Sequence, residues 1–122
     1  MADCILVVDD QHDLRLLIRL SLLSLGRVET AATTAEAWER IRGNRPRLIV
    51  LDVSLGAESG LALCQAIKAD PNTASICVVL LSAFGQQADI DAGLAAGANA
   101  YMLKPFSPRE LVATVGELLG RT

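Results

Sequence analysis

The fold this sequence predicts is α/β, with a parallel sheet covered by helices on both faces. Three observations carry the prediction. Short apolar runs alternate with stretches whose leucines and isoleucines recur at helical spacing. Five segments of each kind follow one another in turn, which is the pattern of linked βα units. The central run, residues 48–51, is apolar at every position and includes β-branched Ile49 and Val50, as a strand buried on both faces requires.

In chain order, the first strand is the apolar run 4–8, which ends in the carboxylates Asp9 and Asp10. Leu14, Leu17, Ile18, Leu22 and Leu25 then mark a helix with a core stripe, and Gly26 is placed to close it as its C′ residue. Residues 27–31 form a shorter, more polar strand with no terminal carboxylate. Thr33-x-x-Glu36 is a capping-box signature, and the helix it opens runs through Ala37, Trp38 and Ile41 to Gly43. The third strand delivers Asp52 to its carboxyl end, where a turn of small residues follows. Ser59 or a near neighbour starts a helix with Leu61, Leu63, Cys64 and Ile67, and Asp70-Pro71-Asn72 breaks it. Residues 76–81 are the fourth strand, ending at Ser82, and Gly85 opens a polar, alanine-rich helix that stops at Gly97. Residues 98–103 form the last strand, which ends at Lys104-Pro105. Ser107-Pro108-Arg109-Glu110 combines an N-cap serine, proline at the first helical position and glutamate at the third, so the closing helix starts there and is capped by Gly120.

With 122 residues, 52% of them hydrophobic, the chain fits one domain over 1–122 with its own core. The net charge of −3, with charges scattered, provides no basic stripe for nucleic acid. Cys4, Cys64 and Cys77 are odd in number and lack metal spacing, so they read as small core residues in a reducing compartment. No basic leader and no stretch of roughly 18 apolar residues is present. A cytoplasmic protein that does not enter the membrane is expected.

In a parallel sheet every strand ends on the same edge, so Asp9, Asp10, Asp52, Ser82 and Lys104 should converge there. The second strand adds nothing polar of this kind, which places it at the outside of the sheet. Clustered carboxylates repel, and a divalent cation together with an ammonium group relieves them. Carboxylate, carbonyl and water oxygens suit Mg²⁺, and no softer ligand is present to favour zinc. Such a set fits phosphoryl transfer onto Asp52, with the metal and Lys104 neutralising oxygens and the Ser82 hydroxyl binding another.

On these residues the chain closely resembles the receiver domain of two-component response regulators, over essentially its whole length. Asp9 and Asp10 match the family's metal ligands, Asp52, 43 residues after Asp9, its phosphoacceptor, Ser82 its hydroxyl position and Lys104-Pro105 its lysine and commonly cis proline. Gly60 falls where the family carries glycine. The resemblance implies a single doubly wound (βα)5 flavodoxin-like fold with strand order 2-1-3-4-5. It also implies Asp9, Asp10, Asp52 and the Ser54 carbonyl as Mg²⁺ ligands, and Ser82 with Tyr101, three residues before the lysine, as a switch acting on the fourth-helix to fifth-helix face. The implied partners are a sensor histidine kinase or histidine phosphotransfer protein upstream, and a downstream protein target or linked output domain. The departures are that Gly56 replaces the usual proline, predicting a more mobile loop, and that Phe84 and Ser54 stand at positions that flank the phosphoryl group in the family, where Phe84 would hinder an attacking water.

Plainer readings stand beside these. Asp9 and Asp10 are also suitable N-caps for the first helix, Ser82 suits a loop, Tyr101 suits strand packing, and Lys104 suits a solvated strand end. His12, the sole histidine, lacks a partner to chelate with and reads as a surface residue or a neighbour of the acidic site, not a ligand. Trp38 and Phe106 read as packing residues. The functional alternatives are a haloacid dehalogenase-like phosphohydrolase, whose DxD motif is here Asp9-Asp10-Gln11, and a docking domain independent of phosphorylation. The signalling module is expected to turn over no external substrate, as a monomer or a phosphorylation-dependent dimer, and either as a stand-alone protein or as part of a longer one.

Overall fold

The structure, a computed structural model, describes residues 3–120. Five parallel strands, β1 (Cys4–Val8), β2 (Arg27–Ala31), β3 (Leu48–Asp52), β4 (Cys77–Ser82) and β5 (Ala100–Leu103), form one sheet of order β2-β1-β3-β4-β5. Between and after them run α1 (His12–Leu22), α2 (Thr34–Asn44), α3 (Gly60–Ala69), α4 (Gln87–Ala95) and α5 (Pro108–Leu118). The order matches the expected 2-1-3-4-5, with polar β2 at the edge.

Alternation along the strands divides the core in two. Leu6, Val8, Ile49, Leu51, Val78 and Leu80 point to one face, against Ala37 and Ile41 of α2 and Leu63, Cys64 and Ile67 of α3. Ile5, Val7, Leu48, Val50, Val79 and Leu81 point to the other, against Ile18 and Leu22 of α1 and Leu111 and Val115 of α5. All of these residues are buried, which is why the central strands carry no alternating polar residue. Trp38 packs against the first core and Phe106 against the second, as expected.

Several local expectations are corrected. α1 ends at Leu22, and Gly26 does not serve as its C′ residue. A Cβ at Gly26 would lie 2.3 Å from the carbonyl oxygen of Asp3, so glycine is needed there because two backbones pass closely. α2 continues through Gly43, and the residue that turns left-handed is Arg45, at φ 40°. α4 starts at Gln87, not Gly85, and β5 starts at Ala100 because the Asn99 side chain and backbone are already bonded to Val78. Leu17 does not belong to the core: it is 46% exposed, and Leu16, Leu20 and Leu23 share its exposure. The loop after Asp52 is closed by a small hairpin, Ser54–Leu55 paired with Glu58–Ser59, and Glu58 accepts a hydrogen bond from the backbone N–H of Thr34 at 3.0 Å. Gly56 occupies the left-handed turn of that hairpin at φ 64°. Ser59 caps α3 and Ser107 caps α5 as the sequence predicts, each accepting from the N–H three residues on. Among the described residues no helix is long and apolar enough to cross a membrane. The three cysteines are free, with Cys64 buried and Cys4 and Cys77 half-buried.

Candidate functional site

The parallel register ends four strands on one edge: Val8 pairs with Leu51, Asp52 with Leu81, and Ser82 with Leu103. Asp9, Asp52, Ser82 and Lys104 therefore emerge side by side, as expected. Asp9, Asp52 and Ser82 are buried and Asp10 is exposed. One carboxylate oxygen from each of Asp9, Asp10 and Asp52 lies within 4.8 Å of the others. Lys104 Nζ donates to Asp52 Oδ2 at 2.5 Å and stands 4.0 Å from Asp9 Oδ2, and the Lys104-Pro105 peptide after it is cis.

The remaining bonds hold the acids still. Asp52 Oδ1 accepts the N–H of Ser54 at 3.0 Å, and Asp9 Oδ1 accepts that of Gln11 at 2.8 Å. Gln11, not an acid, is the N-cap residue of α1, and its side chain makes no capping bond, so the capping alternative for Asp10 is not realised. Arg15 donates to the Asp9 carbonyl oxygen at 2.8 Å, a support that the sequence did not advertise. A Cβ at Gly60 would lie 1.9 Å from the Asp52 carbonyl oxygen, so the start of α3 presses directly on the backbone that carries Asp52.

Asp9 Oδ2 is buried and has no hydrogen-bond partner among the described residues. Burial, with the neighbouring Asp52 charge adding to it, pushes the Asp9 carboxyl up to about 6, against the Gln11 N–H and Lys104, which act the other way. An orphaned, desolvated oxygen beside two further carboxylates fits a hard divalent cation bound through oxygen.

This has a thermodynamic consequence. Between the ordinary aspartate value and about 6, the folded protein binds more protons than the unfolded one, so the ionised Asp9 costs stability above that window and the cost is relieved as pH falls through it. Asp9→Asn is expected to be more stable than wild type by roughly 1–3 kcal/mol at pH 7.5 in chelator. The difference should shrink toward pH 4.5, and millimolar Mg²⁺ should raise the wild-type melting temperature more than that of the variant. Thermal melts at the two pH values, with and without Mg²⁺, check this.

Ser82 is at the edge, but its hydroxyl accepts the N–H of Phe84 at 2.9 Å instead of facing the acids. Tyr101 is half-buried against the core, and its hydroxyl donates to the Phe84 carbonyl oxygen at 2.8 Å. Ser82 and Tyr101, the expected switch side chains, thus hold the N–H and the carbonyl of the same residue, Phe84. The ring of Tyr101 has room because α4 carries glycine at 93, where a Cβ would come within 2.6 Å of the ring. A cavity of about 270 Å³ opens over the cluster, lined by Asp10, Asp52, Ser54, Gly56, Phe84 and Lys104. Phe84 is 54% exposed at its mouth. His12 lies on the surface, with Nδ1 3.4 Å from Asp13 Oδ1, outside the cluster.

Known proteins resemble this chain over most of its length. Residues 5–116 match the family model described as response regulator receiver domain. The phosphate regulon transcriptional regulatory protein PhoB of Pseudomonas aeruginosa is 40% identical over 119 residues, covering 97% of this chain and 52% of that protein. The probable transcriptional regulator ycf27 of Cyanophora paradoxa is also 40% identical over 119 residues, covering 97% and 48%. This chain spans about half the length of these relatives. The BeF3-activated DrrB receiver domain superposes with a TM-score of 0.90 at 33% identity, covering 99% of this chain and 100% of that one.

Proposed function

Because this chain belongs to the response regulator receiver family, we propose that residues 1–122 act as one phosphoacceptor signalling domain in which Asp52 takes a phosphoryl group from a histidine kinase or histidine phosphotransfer protein. Receiver domains are signalling modules, not enzymes that turn over an external substrate. The observation that carries the proposal is the contact of Lys104 with Asp52 inside a cluster of three carboxylates, one of them with an orphaned oxygen.

In this scheme a carboxylate oxygen of Asp52 attacks phosphorus in line while the bond from phosphorus to the donor nitrogen breaks and its electron pair stays with the imidazole. Lys104, already on Asp52, passes to a phosphoryl oxygen, and the Ser82 hydroxyl rotates from Phe84 to donate to another. Asp9, Asp10, Asp52 and the Ser54 carbonyl would hold Mg²⁺, which when bound supplies positive charge to the acids and the transferring oxygens.

The new group adds about −1.5 to −2 charge. Once Ser82 leaves Phe84, the Phe84 N–H is free and, among the described residues, the remaining side-chain hydrogen bond to the segment between β4 and α4 is that of Tyr101 from β5. The population shift reaches the α4, β5 and α5 surface through that segment. Its readers are a downstream protein or a linked output domain, with monomer and phosphorylation-dependent dimer as the two assembly states and the cytoplasm as the compartment. Incubation with a small phosphodonor and Mg²⁺, followed by intact mass, should show a gain of one phosphoryl group that disappears in chelator. A gain that persists without divalent cation contradicts the scheme.

Phe84 lines the cavity over Asp52 and is exposed, so it is placed to hinder an attacking water. Phe84→Glu is expected to lose the phosphoryl group about tenfold faster than wild type, a barrier change of about 1.4 kcal/mol. Autodephosphorylation rates check this, and equal rates would remove Phe84 from the role of shield.

A further inference from the structure

The edge of the sheet opposite Asp52 carries a second organised cavity. Arg40, Arg42, Arg45 and Arg47 are four of the eleven basic residues of a chain whose net charge is −3. Two of them, Arg42 and Arg45, stand at the end of α2 and just past it. Three have protein acceptors: Arg40 bonds the Thr30 carbonyl, Arg47 pairs with Asp3, and Arg45 reaches across to the Asn72 carbonyl. Arg42 lies over the Trp38 ring, 5.4 Å from its centroid, and has no hydrogen-bond acceptor among the described residues.

Beside this pair, between the ends of α2 and α3, is a cleft of about 430 Å³ lined by Trp38, Ile41, Arg42, Arg45, Asp70 and Asn72. That volume is in the usual range for small-molecule sites. Its floor is the buried Ile41. Arg45 holds its place in the left-handed conformation at φ 40°, where glycine or asparagine would be the unstrained choice. The helix therefore carries a guanidinium at its end at a conformational cost.

We propose that this cleft binds a small anion carried on a flat, amino-bearing ring, the chemistry of an adenine-type nucleoside monophosphate. Arg42 and Arg45 supply forked N–H donors for the phosphate. Trp38, which is only partly buried, supplies apolar surface for the ring. The Asp70 carboxylate, which would repel a bare anion, accepts from the ring amino group, and the Asn72 side-chain amide is available to the same edge. Asp70 Oδ1 is already oriented by the Asn72 N–H at 2.9 Å.

Trp38 is the only tryptophan, so its fluorescence reports on the cleft directly. Titrate the full chain with adenosine monophosphate, inosine monophosphate, adenosine and inorganic phosphate, using wild type, Arg42→Gln and Arg45→Gly. The glycine variant suits the left-handed backbone and preserves the fold, which circular dichroism verifies. Expected is a saturable Trp38 response to adenosine monophosphate. Affinity should be at least tenfold weaker for adenosine and for phosphate alone, and several-fold weaker for inosine monophosphate, which lacks the amino group. Both variants should lose at least fivefold. No saturable response, or one equally strong in both variants, overturns the proposal, as does phosphate alone binding as well as the nucleotide. Because Asp52 takes no part, the result is independent of the phosphoacceptor assignment.

Discussion

Gly60→Ala is expected to be the most damaging single-methyl change in the protein, destabilising it by about 4 kcal/mol or more and leaving little folded material at 37 °C. The added Cβ would sit 1.9 Å from the Asp52 carbonyl oxygen, 2.8 Å from its carbonyl carbon and 3.0 Å from Val53 Cα. All three atoms are backbone, so no side chain can rotate away. Relief requires α3 to lift from the end of β3 or β3 to retreat from the sheet. Either movement displaces Asp52 from Lys104. The contrasting control is Gly43→Ala, inside α2, where a Cβ meets nothing within 4 Å. That change should stabilise by about 0.5–1 kcal/mol, because alanine is the better helix former. Chemical denaturation of the two variants measures both effects. Similar stabilities for Gly60→Ala and wild type would contradict the close approach.

Lys104→Met is expected to fail in two ways. Without the ammonium group, Asp52 loses a 2.5 Å partner, and both Asp52 and Asp9 remain buried with like charge beside them. Removing one member of a buried pair generally costs about 3–5 kcal/mol. Since Lys104 keeps about a fifth of its side chain exposed, roughly 2–3 kcal/mol is expected here at pH 7.5 in chelator. Lowering pH through the raised Asp9 value, or adding Mg²⁺, should narrow the deficit, because each removes net negative charge from the cluster. Phosphoryl uptake from a small donor should fall by about 100-fold, the usual loss when a positioned charge is taken from a transition state. An unchanged melting temperature in chelator together with unchanged uptake would contradict both roles.

The site was legible because its members end strands. A carboxylate, hydroxyl or ammonium that follows a continuous apolar run has one place to go in a parallel sheet, so Asp9, Asp52, Ser82 and Lys104 could be grouped before any coordinates. The failures share a different cause, which is that spacing in sequence does not specify what lies opposite. α1 is leucine-rich on more than one side, so periodicity alone could not tell buried Leu22 from exposed Leu17. Gly26 looked like a helix stop, but its reason is the backbone of Asp3. Gly43 looked like another, and the left-handed residue is Arg45. The direction of the Ser82 hydroxyl, the support of Asp9 by Arg15 and the tie from Glu58 to Thr34 all depend on neighbours distant in sequence or on a single rotamer. The arginine-lined cleft was invisible for the same reason, since four of its lining residues, Ala66, Asp70, Asn72 and Thr73, arrive from α3 and the turn after it.

The phosphoryl group is expected as an acyl phosphate on Asp52. Borohydride reduces an aspartyl acyl phosphate to homoserine, so phosphorylation with a small donor and Mg²⁺, borohydride treatment and peptide mass spectrometry locate the modified residue. Homoserine at position 52 is predicted, absent from the chelator control. Reduction at Asp9 or Asp10 with position 52 untouched would contradict it.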